Sequence, residues 1–114
     1  MVGSTYYIPD RGDVVYMSLG PTRGKEQRGR RPAIILTSRR YNERVGLLVA
    51  CPVTSQIKGY PFEVSIILQG KENSVLCDHV RSLDWKVRQL SYLDKASSSV
   101  LELIMRKISI LFNN

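Results

Sequence analysis

Few side chains in this chain suit covalent or metal chemistry. There is one histidine, His79, and the two cysteines, Cys51 and Cys77, stand neither at metal-ligand spacing nor as Cys-x-x-Cys. Both cysteines lie in apolar runs and read as reduced core residues. The glycines at 20, 24 and 29 precede no helix, so no phosphate-cradling loop is formed, and no Ser–His–Asp order is evident. Arg11-Gly12-Asp13 spells an adhesion tripeptide, which reads as chance, with Gly12 turning the chain into a strand. No metal and no cofactor is called for. One reaction needs neither: RNA cleaved by its own 2′-hydroxyl attacking the adjacent phosphorus. That reaction asks for an oriented hydroxyl, a base, a cation on the phosphorane and a proton for the leaving 5′-oxygen. Arg31, Thr54, Glu26 and Asp78 are of the required types. An Arg fork matches two phosphate oxygens, a Thr hydroxyl donates to a third, and a carboxylate takes a proton. By type alone the four remain open to a simpler reading, since Arg31 before Pro32 also suits a surface charge at a strand start.

The charge distribution narrows the partners. Lys and Arg number 17 against 10 acidic residues, a net charge of +7. Arg23, Lys25, Arg28, Arg30, Arg31, Arg39, Arg40 and Arg44, against Glu26 and Glu43, hold nearly all of that excess. A charge run is usually a solvated face, but one that carries nearly the whole imbalance favours a polyanion. The 114 residues suit one domain, 1–114, with a core of its own. The longest apolar run, Val45 to Val53, is broken by Gly46 and Pro52 and is far too short for a membrane span. With no leader-like segment at the start, a cytoplasmic protein without membrane contact is expected.

The elements that must position these residues follow from periodicity. Asp13 to Leu19 predicts a strand with Val15, Met17 and Leu19 on one face. Gly20 to Pro32 is a charged loop. Ala33 to Thr37 and Leu47 to Val53 are strands buried on both faces. Arg39 to Gly46 reads as a turn through Asn42, Thr54 to Tyr60 as a polar loop, and Gln69 to Ser74 as another turn. Glu63 to Leu68 is a strand presenting Val64, Ile66 and Leu68 to one side. Val75 to Leu83 is extended and bent near His79, and strand alternation would turn His79 away from Asp78. A terminal helix is predicted, opened by a Ser99/Glu102 capping box. Its apolar face, Leu101, Ile104, Met105, Ile108, Leu111 and Phe112, would close the core. Five or six strands without helical crossovers make a compact antiparallel barrel.

Several runs carry a family resemblance. Pro21-Thr22-Arg23-Gly24-Lys25-Glu26-Gln27-Arg28-Gly29-Arg30-Arg31-Pro32-Ala33 resembles the MazF/PemK signature in which a loop ends at an Arg-Pro opening a strand. Cys51-Pro52-Val53-Thr54-Ser55-Gln56, followed by Lys58-Gly59-Tyr60-Pro61-Phe62-Glu63-Val64, is similar to the second signature. Asp78-His79-Val80-Arg81-Ser82-Leu83-Asp84-Trp85 is similar to the third, and Tyr7-Ile8-Pro9-Asp10-Arg11-Gly12-Asp13 fits the family's opening.

The resemblance implies an SH3-like antiparallel barrel with a C-terminal helix, of the MazF/PemK/CcdB kind, acting as a homodimer. It implies a toxin of a type II toxin–antitoxin system that cleaves single-stranded RNA at short sequences without metal. It also implies a cognate antitoxin whose acidic, disordered tail covers the toxin, and DNA contact only through that antitoxin. Carried over, the catalytic set is Arg31, Thr54, Glu26 and Asp78. The RNA-contacting set is Arg23, Lys25, Gln27, Arg28, Arg30, Gln56, Lys58 and Arg81. His79 stands where many relatives carry Gln, which favours a structural or RNA-contacting role over proton transfer. Leu76 stands where some carry an Arg given the general-acid role, so the division between base and acid stays open. Two further readings remain: a toxin of related fold that poisons a protein target, as gyrase-poisoning relatives do, and a module that only binds RNA.

Overall fold

A computed structural model describes residues 7–20 and 29–113. The elements run β1 (Asp13–Ser18), β2 (Arg30–Ile35), α1 (Arg39–Val45), β3 (Leu47–Thr54), β4 (Glu63–Leu68), β5 (Lys71–Leu76), a 3₁₀ turn (Cys77–His79), β6 (Arg81–Asp84), β7 (Ser91–Lys95) and α2 (Ser98–Asn113). The strands are antiparallel in the order β4-β5-β3-β2-β1-β7, with β6 also pairing with β3. The sheet curls into a half-barrel, in line with the expected barrel and terminal helix.

Both faces of the central strands are covered, which explains their unbroken apolar runs. Val14, Ile34, Cys51 and Val53 pack on one side with Val64, Ile66 and Val75 of the β4–β5 hairpin and Ile104 of α2. Val15, Met17, Ala33, Ile35, Leu48 and Ala50 pack on the other with Leu83, Trp85, Ile8, Leu19 and Leu90. Each fully buried aliphatic side chain contributes about 1.5–3 kcal/mol of transfer free energy. Cys51 and Cys77 are free thiols buried in the first of these layers, as read from their apolar surroundings.

Four local expectations give way. Arg39–Val45 is a helix and not a turn. Ser38 caps it by accepting from the Tyr41 N–H at 3.2 Å, and Gly46 ends it at φ 81°. Its anchor is polar: the buried Asn42 amide donates to the carbonyls of Pro9 and Thr37 and accepts from the Thr37 hydroxyl at 2.6 Å. The turn expected over Gln69 to Ser74 shrinks to Gln69 and Gly70, both left-handed at φ 52° and 78°. That pair closes a two-residue hairpin, and Lys71–Leu76 is a strand. Ser91–Lys95 adds β7 on the outer edge of β1, with a bulge at Val14/Val15. In α2 the cap is Ser97, whose hydroxyl accepts from the Val100 N–H at 3.2 Å; Ser99 faces Ser97 and forms no box with Glu102. The helix closes the core only in part. Ile104 is buried, whereas Met105 and Phe112 are 49% and 77% exposed in the single chain.

The start of β1 is held by charge. Asp13 is buried and accepts from the Tyr7 hydroxyl at 2.6 Å, from the Asp10 N–H, and from Lys95 Nζ of β7 at 3.0 Å. Burial, then the Asp13 carboxylate, push the Tyr7 phenol far above its usual range, so it stays a donor. Gly12, at φ 93°, gives its N–H to the Ile35 carbonyl at 2.8 Å, so the Arg11-Gly12-Asp13 run serves the fold.

Candidate active site

A proline at the start of β2 ends one ladder and opens the site. The alternate N–H groups of β2 that point to β3, as Leu36 N–H does to the Val49 carbonyl, would include that of residue 32, and Pro32 has none to give. The β2–β3 pairing therefore runs only over Ile35↔Ala50, Ile34↔Cys51 and Ala33↔Pro52. Beyond it the strands part. Arg30 to Pro32 stay on β1, with Arg31 opposite Met17, while Val53 and Thr54 go over to β5. Arg31 and Thr54 both line the space that opens where the strands part, at the ends of strands whose other halves are buried.

The split opens into a cleft of about 790 Å³ whose lining includes Arg31, Thr54, Ser55, Gln56 and His79. The rim adds Leu19 and Gly20 after β1, Gly29 before β2, and Gln69, Lys71 and Asn73 from the β4–β5 hairpin. Among the described lining residues Arg31 and Lys71 are cationic and none is acidic, so the cleft suits an anion. The Arg31 guanidinium is exposed and has no hydrogen-bond partner among the described residues. Thr54 Oγ accepts from the Gln56 N–H at 3.1 Å, which orients the hydroxyl and leaves its proton free to be donated.

Asp78 and His79 share the 3₁₀ turn that joins β5 to β6. The turn is pinned by the Cys77 N–H donating to the Phe62 carbonyl at 3.0 Å. Extended alternation does not hold there, so the expected opposition of the two side chains fails: His79 Nε2 lies 4.0 Å from Asp78 Oδ1. His79 lines the cleft. Asp78 sits behind it and accepts from the Tyr60 hydroxyl at 2.6 Å on Oδ1, leaving Oδ2 for another partner. Partial desolvation and the Asp78 carboxylate push the Tyr60 phenol up to about 12, so Tyr60 remains a donor near neutrality. The loop carrying Tyr60 is tied by Glu63, whose carboxylate accepts from the N–H groups of Lys58 (3.2 Å) and Gly59 (2.8 Å). Desolvation opposes these bonds but is outweighed, and the Glu63 carboxyl lies below its usual range. Lys107 Nζ of α2 donates to the Pro61 carbonyl and ties the same loop from the other side.

The other residues singled out in the sequence divide. Gln56 reaches the cleft. Lys58 lies on the loop beyond it, and Arg81 stands exposed on β6 opposite Ala50, outside the lining. Arg30 is engaged, donating to the Gln89 carbonyl at 2.7 Å and to Ser91 Oγ at 3.2 Å. Glu26, Arg23, Lys25, Gln27 and Arg28 lie outside the described residues. Residues absent from the sequence reading also line the cleft: Tyr16, Gln69, Lys71 and Asn73. Tyr16 carried a weak signal, an aromatic at an outward position of a strand otherwise apolar on both faces; it is 38% exposed. Among the described residues no three His, Cys, Asp or Glu side chains gather as a ligand set.

With this geometry in hand, the relatives decide the family. Residues 10–112 match the family model described as "PemK-like, MazF-like toxin of type II toxin-antitoxin system". The chain belongs to this PemK/MazF toxin family. It is 39% identical over 105 residues to the endoribonuclease toxin MazF of Escherichia coli K12, covering 92% of this chain and 95% of that protein. The crystal structure of MazF from Deinococcus radiodurans superposes with a TM-score of 0.84 at 44% identity, covering 96% of this chain and all of the other. A MazE–MazF crystal structure from the same organism gives a TM-score of 0.82 at 42% identity, covering 95% and 98%. The family match spans all three signature runs and both sides of the split ladder. In this chain the Arg of the Arg-Pro run, Arg31, and the Thr of the second run, Thr54, line one cleft.

Proposed function

We propose that this chain is the toxin of a type II toxin–antitoxin pair, a single-domain endoribonuclease that cleaves single-stranded RNA at a short sequence. The observation that carries the reading is the presence of Arg31 and Thr54 together in the lining of a cleft that holds cations and no acids among its described lining residues. The endoribonuclease names of the relatives support it, and the protein-target alternative is not favoured.

The chemistry follows from those groups. The substrate 2′-oxygen attacks the adjacent phosphorus, forming the P–O2′ bond as the P–O5′ bond breaks. Arg31 spans two non-bridging oxygens and Thr54 donates to the phosphorane, so the charge that develops meets donors already in place. The 2′-proton goes to a carboxylate, either Asp78 through its open oxygen or Glu26, and the leaving 5′-oxygen takes a proton from solvent water, whose hydroxide the carboxylic acid then neutralises. The products are a 2′,3′-cyclic phosphate and a 5′-hydroxyl. Gln56 in the cleft, Lys58 and Arg81 beyond its lining, and Arg23, Lys25, Gln27 and Arg28 hold the flanking strand.

The partner is an antitoxin with an acidic segment, in keeping with the +7 charge and with a relative solved as MazE–MazF. The exposed apolar stripe of α2, Met105, Leu111 and Phe112, supports a homodimer. DNA is reached only through the antitoxin, and the cytoplasm is the compartment. No helix among the described residues is long and apolar enough to cross a membrane.

The test is purified protein on a labelled single-stranded RNA in excess chelator, with the ends of the products identified. Cleavage leaving a cyclic phosphate and a 5′-hydroxyl is expected. Activity lost in chelator and restored by added metal would sink the mechanism. Duplex RNA should resist, because its backbone is held away from in-line geometry.

A further inference from the structure

Behind the cleft rim lies a set of hydrogen bonds that the proposed chemistry does not use. Leu19 and Gly20 follow β1, Gly29 precedes β2, and all three line the cleft. They are gripped by the segment that joins β6 to β7. Arg88 is 9% exposed, and its Nη1 donates to the carbonyls of Ser18 at 2.8 Å and Gly20 at 2.9 Å. Its Nε donates to Asp84 Oδ1 at 2.9 Å and to the Asp84 carbonyl at 3.1 Å. The Arg88 carbonyl accepts from the Ser18 N–H at 3.3 Å, and the Leu19 N–H bridges to the Gly29 carbonyl at 3.1 Å. On the other foot, Arg30 donates to Gln89 and Ser91. Gln89 sits at φ 55°, a left-handed conformation that a non-glycine residue keeps only where its surroundings over-determine it.

We infer that Arg88 and Arg30 are positioning residues, which clamp the two feet of the stretch 21–28 and hold the Leu19–Gly20 and Gly29–Arg31 rim of the cleft in its working place. The inference rests on the RNA-cleaving reading of that cleft. It assigns Arg30 a role through its neighbours and not as an RNA contact. The chemistry asks for this. In-line attack tolerates little error, and a misplacement of about 1 Å can cost roughly a hundredfold in rate. Arg31 stands next to Arg30 at the start of β2, where the pairing to β3 has ended. Its backbone there is held on one side by β1 and at its foot by Arg30. Only a planar fork can give hydrogens to two carbonyls from one end while Nε holds a carboxylate, so Lys is no substitute at position 88.

Arg88→Lys and Arg30→Ala are the variants, read by kcat, KM, salt dependence and amide hydrogen exchange. Both should lower kcat about tenfold or more with KM within about threefold. The Ser18 and Leu19 amides should exchange at least tenfold faster while amides of the buried β2–β3 ladder keep their protection. For Arg30→Ala the salt slope of binding should stay as in wild type. A slope that falls by about one phosphate contact, with KM carrying the loss, would show that Arg30 touches RNA and would overturn its half of the clamp. Unchanged kcat in both variants would overturn the whole, whether or not exchange quickens. Should Arg88→Lys fail to fold, Asp84→Ala, which removes the side-chain acceptor of Nε and leaves the Asp84 carbonyl, and Arg30→Ala carry the test. A wild-type protein that leaves RNA uncut would refute the nuclease reading, and the exchange rates would still decide whether the clamp holds the rim.

Discussion

Removing the Arg31 fork should separate activity from stability cleanly. Its side chain is exposed and has no hydrogen-bond partner among the described residues. Truncation thus strands no buried group, and the stability change of Arg31→Ala should stay within about 0.5 kcal/mol. The rate should behave otherwise. Loss of one preorganised donor to a developing oxyanion costs roughly 2.7–4 kcal/mol of transition-state stabilisation, or about 10²–10³ in rate. Arg31→Lys keeps the charge and loses the paired donors, so it should recover little of that. The assay is single-turnover cleavage of a labelled single-stranded RNA at saturating enzyme, beside urea melts of the same preparations. Saturation removes the contribution of weaker binding, so the chemical step is what is measured. Cleavage by Arg31→Ala within about tenfold of wild type would refute the placement of the phosphorane at the split ladder. A melt shifted by more than about 1 kcal/mol would refute the claim that Arg31 has no structural duty.

Three further outcomes follow from other sites. Asn42→Ala leaves the carbonyls of Pro9 and Thr37 without the donors they have now; at about 1–3 kcal/mol per buried orphan it should destabilise the fold by roughly 2–4 kcal/mol in urea melts, and a loss under about 1 kcal/mol would contradict it. Glu63 has its carboxyl held below its ordinary value, so the stability it adds is present above the unfolded pKa of about 4.5 and is lost as pH falls through the folded one. Glu63→Gln should therefore be less stable than wild type at neutral pH, with the gap closing in melts run progressively below pH 4.5; a gap that widens on acidification would reverse the assignment. His79→Gln should keep activity within about tenfold, since Gln retains hydrogen bonding in the cleft; a fall beyond a hundredfold, with one limb of the pH–rate profile gone, would make His79 the proton carrier.

The errors of sequence reading share a cause. Asn42 gave no helical signal because a seven-residue helix anchored by a buried amide has no apolar stripe to detect. β5 and β7 were hidden because Lys71-Glu72-Asn73 and Ser91-Tyr92 are polar and largely exposed; their strand state comes from pairing with β4 and β1. His79 was turned the wrong way because alternation was carried through a segment that makes a 3₁₀ turn. Each miss is a place where the local pattern is weak and a distant partner decides.

What the sequence by itself determined is what local chemistry and patterning can encode. The doubly apolar runs specified β2 and β3, and the one-faced alternation of Val15, Met17 and Leu19 specified β1. The residue types at 31 and 54 are compatible with phosphate chemistry, and the signature runs specified the family. The tertiary structure alone decided where the β2–β3 ladder ends, so that Arg31 and Thr54, 23 positions apart in the chain, line one cleft. It decided as well that Arg30 is engaged by Gln89 and Ser91 while its neighbour Arg31 opens to the cleft, and that Lys71 and Asn73 reach that cleft from a hairpin. The physical reason is that a side chain's type is local, whereas its direction and its partners depend on where pairing stops and on what the opposite strand presents.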